Sequence, residues 1–204
     1  MSHPALPSRT GRPARLRAPR AVLVGVVIAA LAAVIGVLAG VAGIAGPSVS
    51  PLAPLVSSTP GTADGVIPAD APASLDAALP AISRLDPALL SALRAANADA
   101  RRDGIEIRIA SGWRSIPYQR WLFDQAVKTY GSAEAAGRYV ASPQASAHVT
   151  GKAADVAPVD AQLWLQAHGS AYGLCQIYAN ERWHFERATT PGGVCPAMRR
   201  DASE

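Results

Sequence analysis

The stretch SAHVTGKAAD (Ser146–Asp155) governs the reading of this chain. It opens inside residues 141–152, a run rich in Ser, Ala, Pro and Gly that predicts a loop. It closes in Ala153–Ala157, a small apolar run that predicts a short strand. Gly151 stands between the two, where a tight turn would return the strand toward the loop. Such a turn lets His148 and Asp155 face a common point although they are seven positions apart. An imidazole and a carboxylate are both zinc ligands, and a catalytic zinc site keeps three protein ligands plus water.

Further along the chain, a third ligand type stands in ERWHFE (Glu181–Glu186), where His184 follows Glu181 by three residues. A carboxylate there is suited to take a proton from a water that a metal has acidified. The other two histidines, His3 and His168, read as solvated side chains. Taken singly, each of His148 and His184 reads more readily as a hydrogen-bonded structural residue than as a ligand, because spacing alone is a weak signal. On the N-terminal side Asp86-Pro87 starts a helix, with Leu89, Leu90, Leu93 and Ala96 at helical spacing and Gly104 as its stop. Ile105, Ile107 and Ile109 alternate with charged residues as a half-buried strand, and the polar loop SGWRS (Ser111–Ser115) follows. Helices are expected over 117–130, near 132–140, and from a cap at Asp160 to about His168. Leu174–Tyr178 and Trp183–Glu186 read as final strands. Helices come first and strands dominate later, so the class is α+β.

At this point the motifs carry a family resemblance. SAHVTGKAAD resembles the SxHxxGxAxD motif of the zinc D-Ala-D-Ala carboxypeptidases of the vancomycin-resistance type. ERWH resembles their ExWH motif, and SGWRS with Gln119 resembles their SGYRS…Q element. All three stand in the family's order between residues 84 and 188. The resemblance implies the small α+β fold, with a small antiparallel sheet, that these DD-peptidases share with the hedgehog signalling domain. It implies Zn2+ as cofactor, held by His148, Asp155 and His184, with Glu181 as catalytic base. Arg114 matches the residue that polarises the scissile carbonyl, a task that suits a permanently charged planar guanidinium. Ser115, Gln119 and Ser146 match polar positions around the substrate's C-terminal end, and Trp183 a pocket wall. The implied substrate is a peptidoglycan stem peptide cut before its terminal D-Ala. The same scaffold also serves peptidoglycan endopeptidases, L,D-carboxypeptidases and non-catalytic zinc-containing wall-binding modules. Two positions depart from the pattern: Arg182 stands where Pro is common, and Trp113 replaces the usual Tyr.

The rest of the chain sets the context. Its formal charge of +4 is local: Arg9, Arg12, Arg15, Arg17 and Arg20 precede residue 21 with no acid among them. The remainder holds 14 basic and 15 acidic residues, which gives no basis for a nucleic-acid-binding domain. Residues 21–45 contain only Ala, Val, Leu, Ile and Gly, and as a helix would span roughly 37 Å at about 1.5 Å per residue. The arginines before it and the lack of Lys or Arg until Arg84 orient the N-terminus toward the cytoplasm. The expectation is a single-pass membrane protein: a cytoplasmic tail at 1–20, an anchor at 21–45, a Pro-rich linker at 46–80 and an extracytoplasmic peptidase domain at 81–198. A cleaved signal peptide is the alternative to an anchor. Gly36 and Gly40 form a GxxxG pair, a weak signal for a helix-mediated dimer of an otherwise monomeric protein. All 11 aromatic residues fall between Trp113 and Phe185, as one folded domain requires. Cys175 and Cys195 suit a disulfide in an extracytoplasmic setting, with unpaired thiols or zinc ligation as the alternatives.

Overall fold

The computed structural model describes residues 59–204; the expected tail, anchor and first part of the linker lie outside the described residues. Among the described residues no helix is long and apolar enough to cross a membrane.

A short α1 (Pro80–Ser83) leads into α2 (Pro87–Ala100). Asp86 caps α2, its Oδ1 accepting the amides of Ala88 at 2.9 Å and Leu89 at 3.1 Å, and Pro87 opens the first turn. The stripe Leu89, Leu93, Ala96 and Ala100 is buried. Strand β1 (Arg108–Ser111) starts three residues later than the alternation of isoleucines suggests. The Ile107 amide donates to Asn97 Oδ1 at 2.8 Å, so that part of the run is tied to α2 and not to a neighbouring strand. Helix α3 (Ile116–Tyr130) is capped by the Ser115 hydroxyl and ends at Gly131. Helix α4 (Ala133–Gly137) is capped by Ser132 and is shorter than the expected 132–140.

Strand β2 (Ala153–Ala157) leads to α5 (Val159–His168). Asp160 does not cap α5: the helix begins after Pro158 without a side-chain cap, and Asp160 sits in the first turn. Strands β3 (Leu174–Gln176) and β4 (His184–Arg187) complete the set. β3 stops before Tyr178 because the chain there turns to a different partner. The Arg199 amide donates to Ile177 O at 2.9 Å, and the Ala179 amide to Arg199 O at 2.8 Å.

The four strands form one antiparallel sheet in the order β1-β2-β4-β3, so the fold is α+β as expected. Ile109, Ala154, Val156, Leu174 and Phe185 point to one face and join the α2 stripe and Ala161, Trp164 and Leu165 of α5 in the main core. The opposite face carries polar residues in register across three strands, with Ser111 opposite Asp155 and Asp155 opposite His184. On β2 and β4 strand periodicity explains why adjacent residues serve core and site by turns; on β1 a register irregularity between Ile109 and Ser111 brings Ser111 opposite Asp155.

Two results bear on the domain's edges. Residues 59–80, assigned to the linker by their prolines, pack onto the domain from a 3-10 turn at Thr62–Asp64 onward. Ile67, Ala73 and Leu75 are buried in the core, and Ala73 exchanges two backbone hydrogen bonds with Ile109. Proline forbids a helix there but not extended pairing. The second result is the Cys175–Cys195 disulfide, which ties the segment after residue 195 to β3.

Candidate metal centre and cleft

Three ligand atoms converge on the polar face of the sheet. His148 Nε2, His184 Nδ1 and Asp155 Oδ1 lie 3.3 Å from one another in all three pairings. Tetrahedral ligands about 2.0–2.1 Å from a zinc ion are themselves about 3.3–3.4 Å apart, so the triangle has the size of one face of such a site. Asp155 and His184 come from paired positions of β2 and β4. His148 comes from the loop, brought round by Gly151 at φ 70°. A side chain at Gly151 would meet Arg84 O, its Cβ only 2.4 Å away, so the turn accepts only glycine without rearrangement.

The chemistry of the donors fits a cation. His148 Nδ1 faces the carbonyl of Gly112 at 2.8 Å, which fixes its proton there and turns the Nε2 lone pair to the centre. His184 Nε2 faces Glu186 Oε1 at 3.0 Å, which turns Nδ1 inward by the same logic. Asp155 Oδ1 is buried without a hydrogen-bond partner. Two ring nitrogens and a carboxylate oxygen facing one another at this spacing call for a positive charge among them, which a metal ion or a proton on His184 supplies. Burial and the Arg114 charge hold His148 below its ordinary pKa. Burial also opposes the charge on His184, yet the neighbouring Asp155 and Glu186 carboxylates prevail and push it up to about 9. Asp155 is buried too, and is nonetheless held well below the usual carboxylate range by His148, His184 and Arg114.

Arg114 lies beside this centre. Its Nε donates to Ser111 Oγ at 2.8 Å, Nη1 to Gln119 Oε1 at 3.0 Å and Nη2 to Asp155 Oδ2 at 2.7 Å. A guanidinium has five N–H donors, so about one on each Nη remains. Gln119 is 1% exposed and also donates to Ala141 O at 2.8 Å, which leaves it no freedom to swing. Glu181 sits on the other side, Oε2 3.8 Å from His184 Nδ1. Burial raises its pKa to about 6.

A cleft of about 160 Å³ opens over the centre, and Arg114, Gln119, Ser146, Glu181 and Trp183 line it together with the three ligands. Ser146 is buried, and Trp183 stands at the rim, 40% exposed. Ser115, expected near the substrate, is not among the lining residues. Its hydroxyl donates to Asp64 Oδ1 at 2.8 Å and accepts the Tyr118 amide at 3.1 Å, which makes it the cap of α3. Trp113 is also outside the cleft, with the Arg84 guanidinium 4.3 Å from its ring centre. Glu186, which orients a ligand, lies outside the ExWH motif, and Ser111, which opens SGWRS, gains its role of orienting the guanidinium only from the structure. Glu186 has a signal in the sequence, since residues two apart on a strand share a face. Tyr178 and Ala202 of the cleft wall have none.

The model of the VanY family, D-alanyl-D-alanine carboxypeptidase, matches residues 82–188. No curated protein matches the sequence. Among solved structures, a mutant of the vancomycin-resistance D,D-pentapeptidase VanY from a VanB-type cassette, in complex with Zn(II), is similar at 25% identity. That match covers 50% of this chain and 71% of that one, with a TM-score of 0.47. An L,D-carboxypeptidase DacB from Streptococcus pneumoniae is 28% identical over 62% of this chain and 76% of its own, with a TM-score of 0.44. The LdcB LD-carboxypeptidase is 24% identical over 53% of this chain and 60% of its own, with a TM-score of 0.46. With the family's match running from before the Arg114 loop to beyond the last ligand strand, the chain belongs to the VanY family of D-alanyl-D-alanine carboxypeptidases.

Proposed function

We propose that this protein is a zinc-dependent carboxypeptidase that removes the terminal D-Ala from peptidoglycan stem peptides. The observation that carries the reading is the 3.3 Å triangle of His148, Asp155 and His184 with the half-buried Glu181 carboxylate and the Arg114 guanidinium lining the same cleft. These three side chains would hold the zinc. When bound, zinc supplies Lewis acidity, which makes water a nucleophile near neutral pH and polarises a carbonyl.

The chain's own residues supply the rest. Glu181, with its pKa near 6, is ionised at neutral pH and takes the proton of the attacking water. It then returns that proton to the leaving amine. Arg114 stays charged, and its remaining N–H groups meet the oxygen of the scissile carbonyl as negative charge develops there. Asp155, Ser111 and Gln119 fix the guanidinium beforehand, so no reorganisation is needed at the moment of reaction. The Ser146 hydroxyl offers a donor to the substrate's terminal carboxylate, and Trp183 covers the apolar side of the peptide.

The test is incubation of the purified protein with muropeptides ending in D-Ala-D-Ala, with tetrapeptide and cross-linked species in parallel, read by mass spectrometry. Loss of a single alanine from the pentapeptide supports the reading. Loss from the tetrapeptide alone, or cleavage of the cross-link, replaces it by an L,D-carboxypeptidase or an endopeptidase. The anchor is part of the same proposal: the five arginines and the apolar residues 21–45 support a single span with the domain outside the cytoplasm. Release of the protein from membranes by salt alone would overturn that part.

A further inference from the structure

The loop that carries Arg114 is held at three consecutive amides by three different parts of the chain. The Trp113 amide donates to Ala81 O at 2.9 Å, the Arg114 amide to His148 O at 3.1 Å, and the Ser115 amide to Asp64 O at 2.8 Å. The last of these comes from upstream of the family's match, which begins at residue 82. Asp64 holds Ser115 a second time, through the hydroxyl that donates to its Oδ1 at 2.8 Å. Its other oxygen accepts the Gly61 amide at 3.1 Å and closes the 3-10 turn. Because the Ser115 hydroxyl spends its proton on Asp64, its lone pairs are left to accept the Tyr118 amide and start α3. One turn into α3, Gln119 grips Arg114 Nη1. Two routes therefore run from Asp64 to the guanidinium, one through the backbone of Ser115 and one through the cap of α3. The turn also lies flush on the loop: Gly65 has φ 96°, and a Cβ there would fall 2.1 Å from Trp113 O.

We propose that Asp64 is a positioning residue for Arg114, so that the segment joining the N-terminal part of the chain to the domain sets the geometry of the cleft. The inference rests on Arg114 acting on the substrate carbonyl as proposed above. Misplacement of a catalytic group costs rate and not ground-state binding, and a shift of about 1 Å can cost about a hundredfold.

The test uses the full-length zinc-loaded protein and a D-Ala-D-Ala pentapeptide. Asp64→Ala is expected to lower kcat about tenfold while KM and bound zinc stay near wild type. Asp64→Asn, which keeps one acceptor for the hydroxyl, is expected to fall between the two. In an Arg114→Lys background, Asp64→Ala is expected to change kcat by less than about twofold, because its route to the chemistry is gone. Amide exchange gives a reading independent of turnover: the Tyr118 amide, whose acceptor is the hydroxyl that Asp64 holds, exchanges faster in Asp64→Ala. Unchanged exchange, an unchanged kcat, or the same tenfold loss in the Arg114→Lys background overturns the inference. A wild-type protein without turnover defeats the functional reading, and the exchange result then decides this one alone.

Discussion

The two halves of the cleft are built differently. Asp155, His184 and Glu186 stand on β2 and β4 at positions fixed by strand pairing. Arg114, Ser146 and Glu181 stand on loops and turns: Arg114 is held by distant parts of the chain, Ser146 and Glu181 by turn bonds from their amides to Ser142 O and Tyr178 O. His148 joins the halves: it is a loop residue whose Nδ1 is pinned by Gly112 O and whose Nε2 meets the two strand ligands. The contrast amounts to a division of labour. On the proposed function, the strand half offers donors to a metal at fixed spacing, and the loop half places the groups that would move protons and meet charge. Changes in the strand half should therefore disturb metal first, and changes in the loop half should disturb turnover with metal retained.

The greatest loss is expected in the loop half. Glu181→Ala should lose about a thousandfold in kcat, the middle of the range for general acid–base catalysis, while metal analysis still finds one zinc per chain. Loss of zinc in this variant would erase the division. Arg114→Lys comes next. It keeps the charge but loses the fork that reaches Ser111, Gln119 and Asp155 together, and should cost about a hundredfold in kcat. An unchanged kcat would remove Arg114 from the mechanism.

Glu186→Gln probes the strand half. The carboxylate that orients His184 is then neutral, and zinc affinity should weaken by about 10–100-fold in a chelator competition. The mildest effect is a titration. Glu181 must be ionised to act as base, and burial places its pKa near 6. The active form is present above that value and is lost as pH falls through it, so kcat/KM should drop about tenfold per unit below pH 6. That acid limb should be missing from the residual rate of Glu181→Ala.

Much of this molecule is legible in its sequence. Residue type and order within 146–155, 181–184 and 111–119 name the ligand set, the base and the arginine that the fold gathers around one cleft. Asp86-Pro87 and the leucines after it announce α2, because capping and periodicity act over a few residues. Features that depend on distant partners are not legible in this way. Ser115 matches a substrate position by motif, yet it serves Asp64, 51 residues away in sequence. Prolines mark residues 59–80 as linker, although Ala73 pairs with Ile109 and Leu75 is 2% exposed. Composition reports what a segment cannot form alone and is silent on what it docks against.

The chemistry available to this protein is set by residue order: two imidazoles, two carboxylates and a guanidinium in motifs of fixed spacing. The α+β class and the polarity of the N-terminal segments are set there too. Only the tertiary fold fixes the 3.3 Å triangle, the ring nitrogen that each histidine presents, the service of Glu186 behind His184, and the hold of Asp64 on the Arg114 loop. The physical reason is range. Turn and cap propensities are set by neighbours, whereas ligand geometry is set by strand register and by hydrogen bonds between segments tens of residues apart.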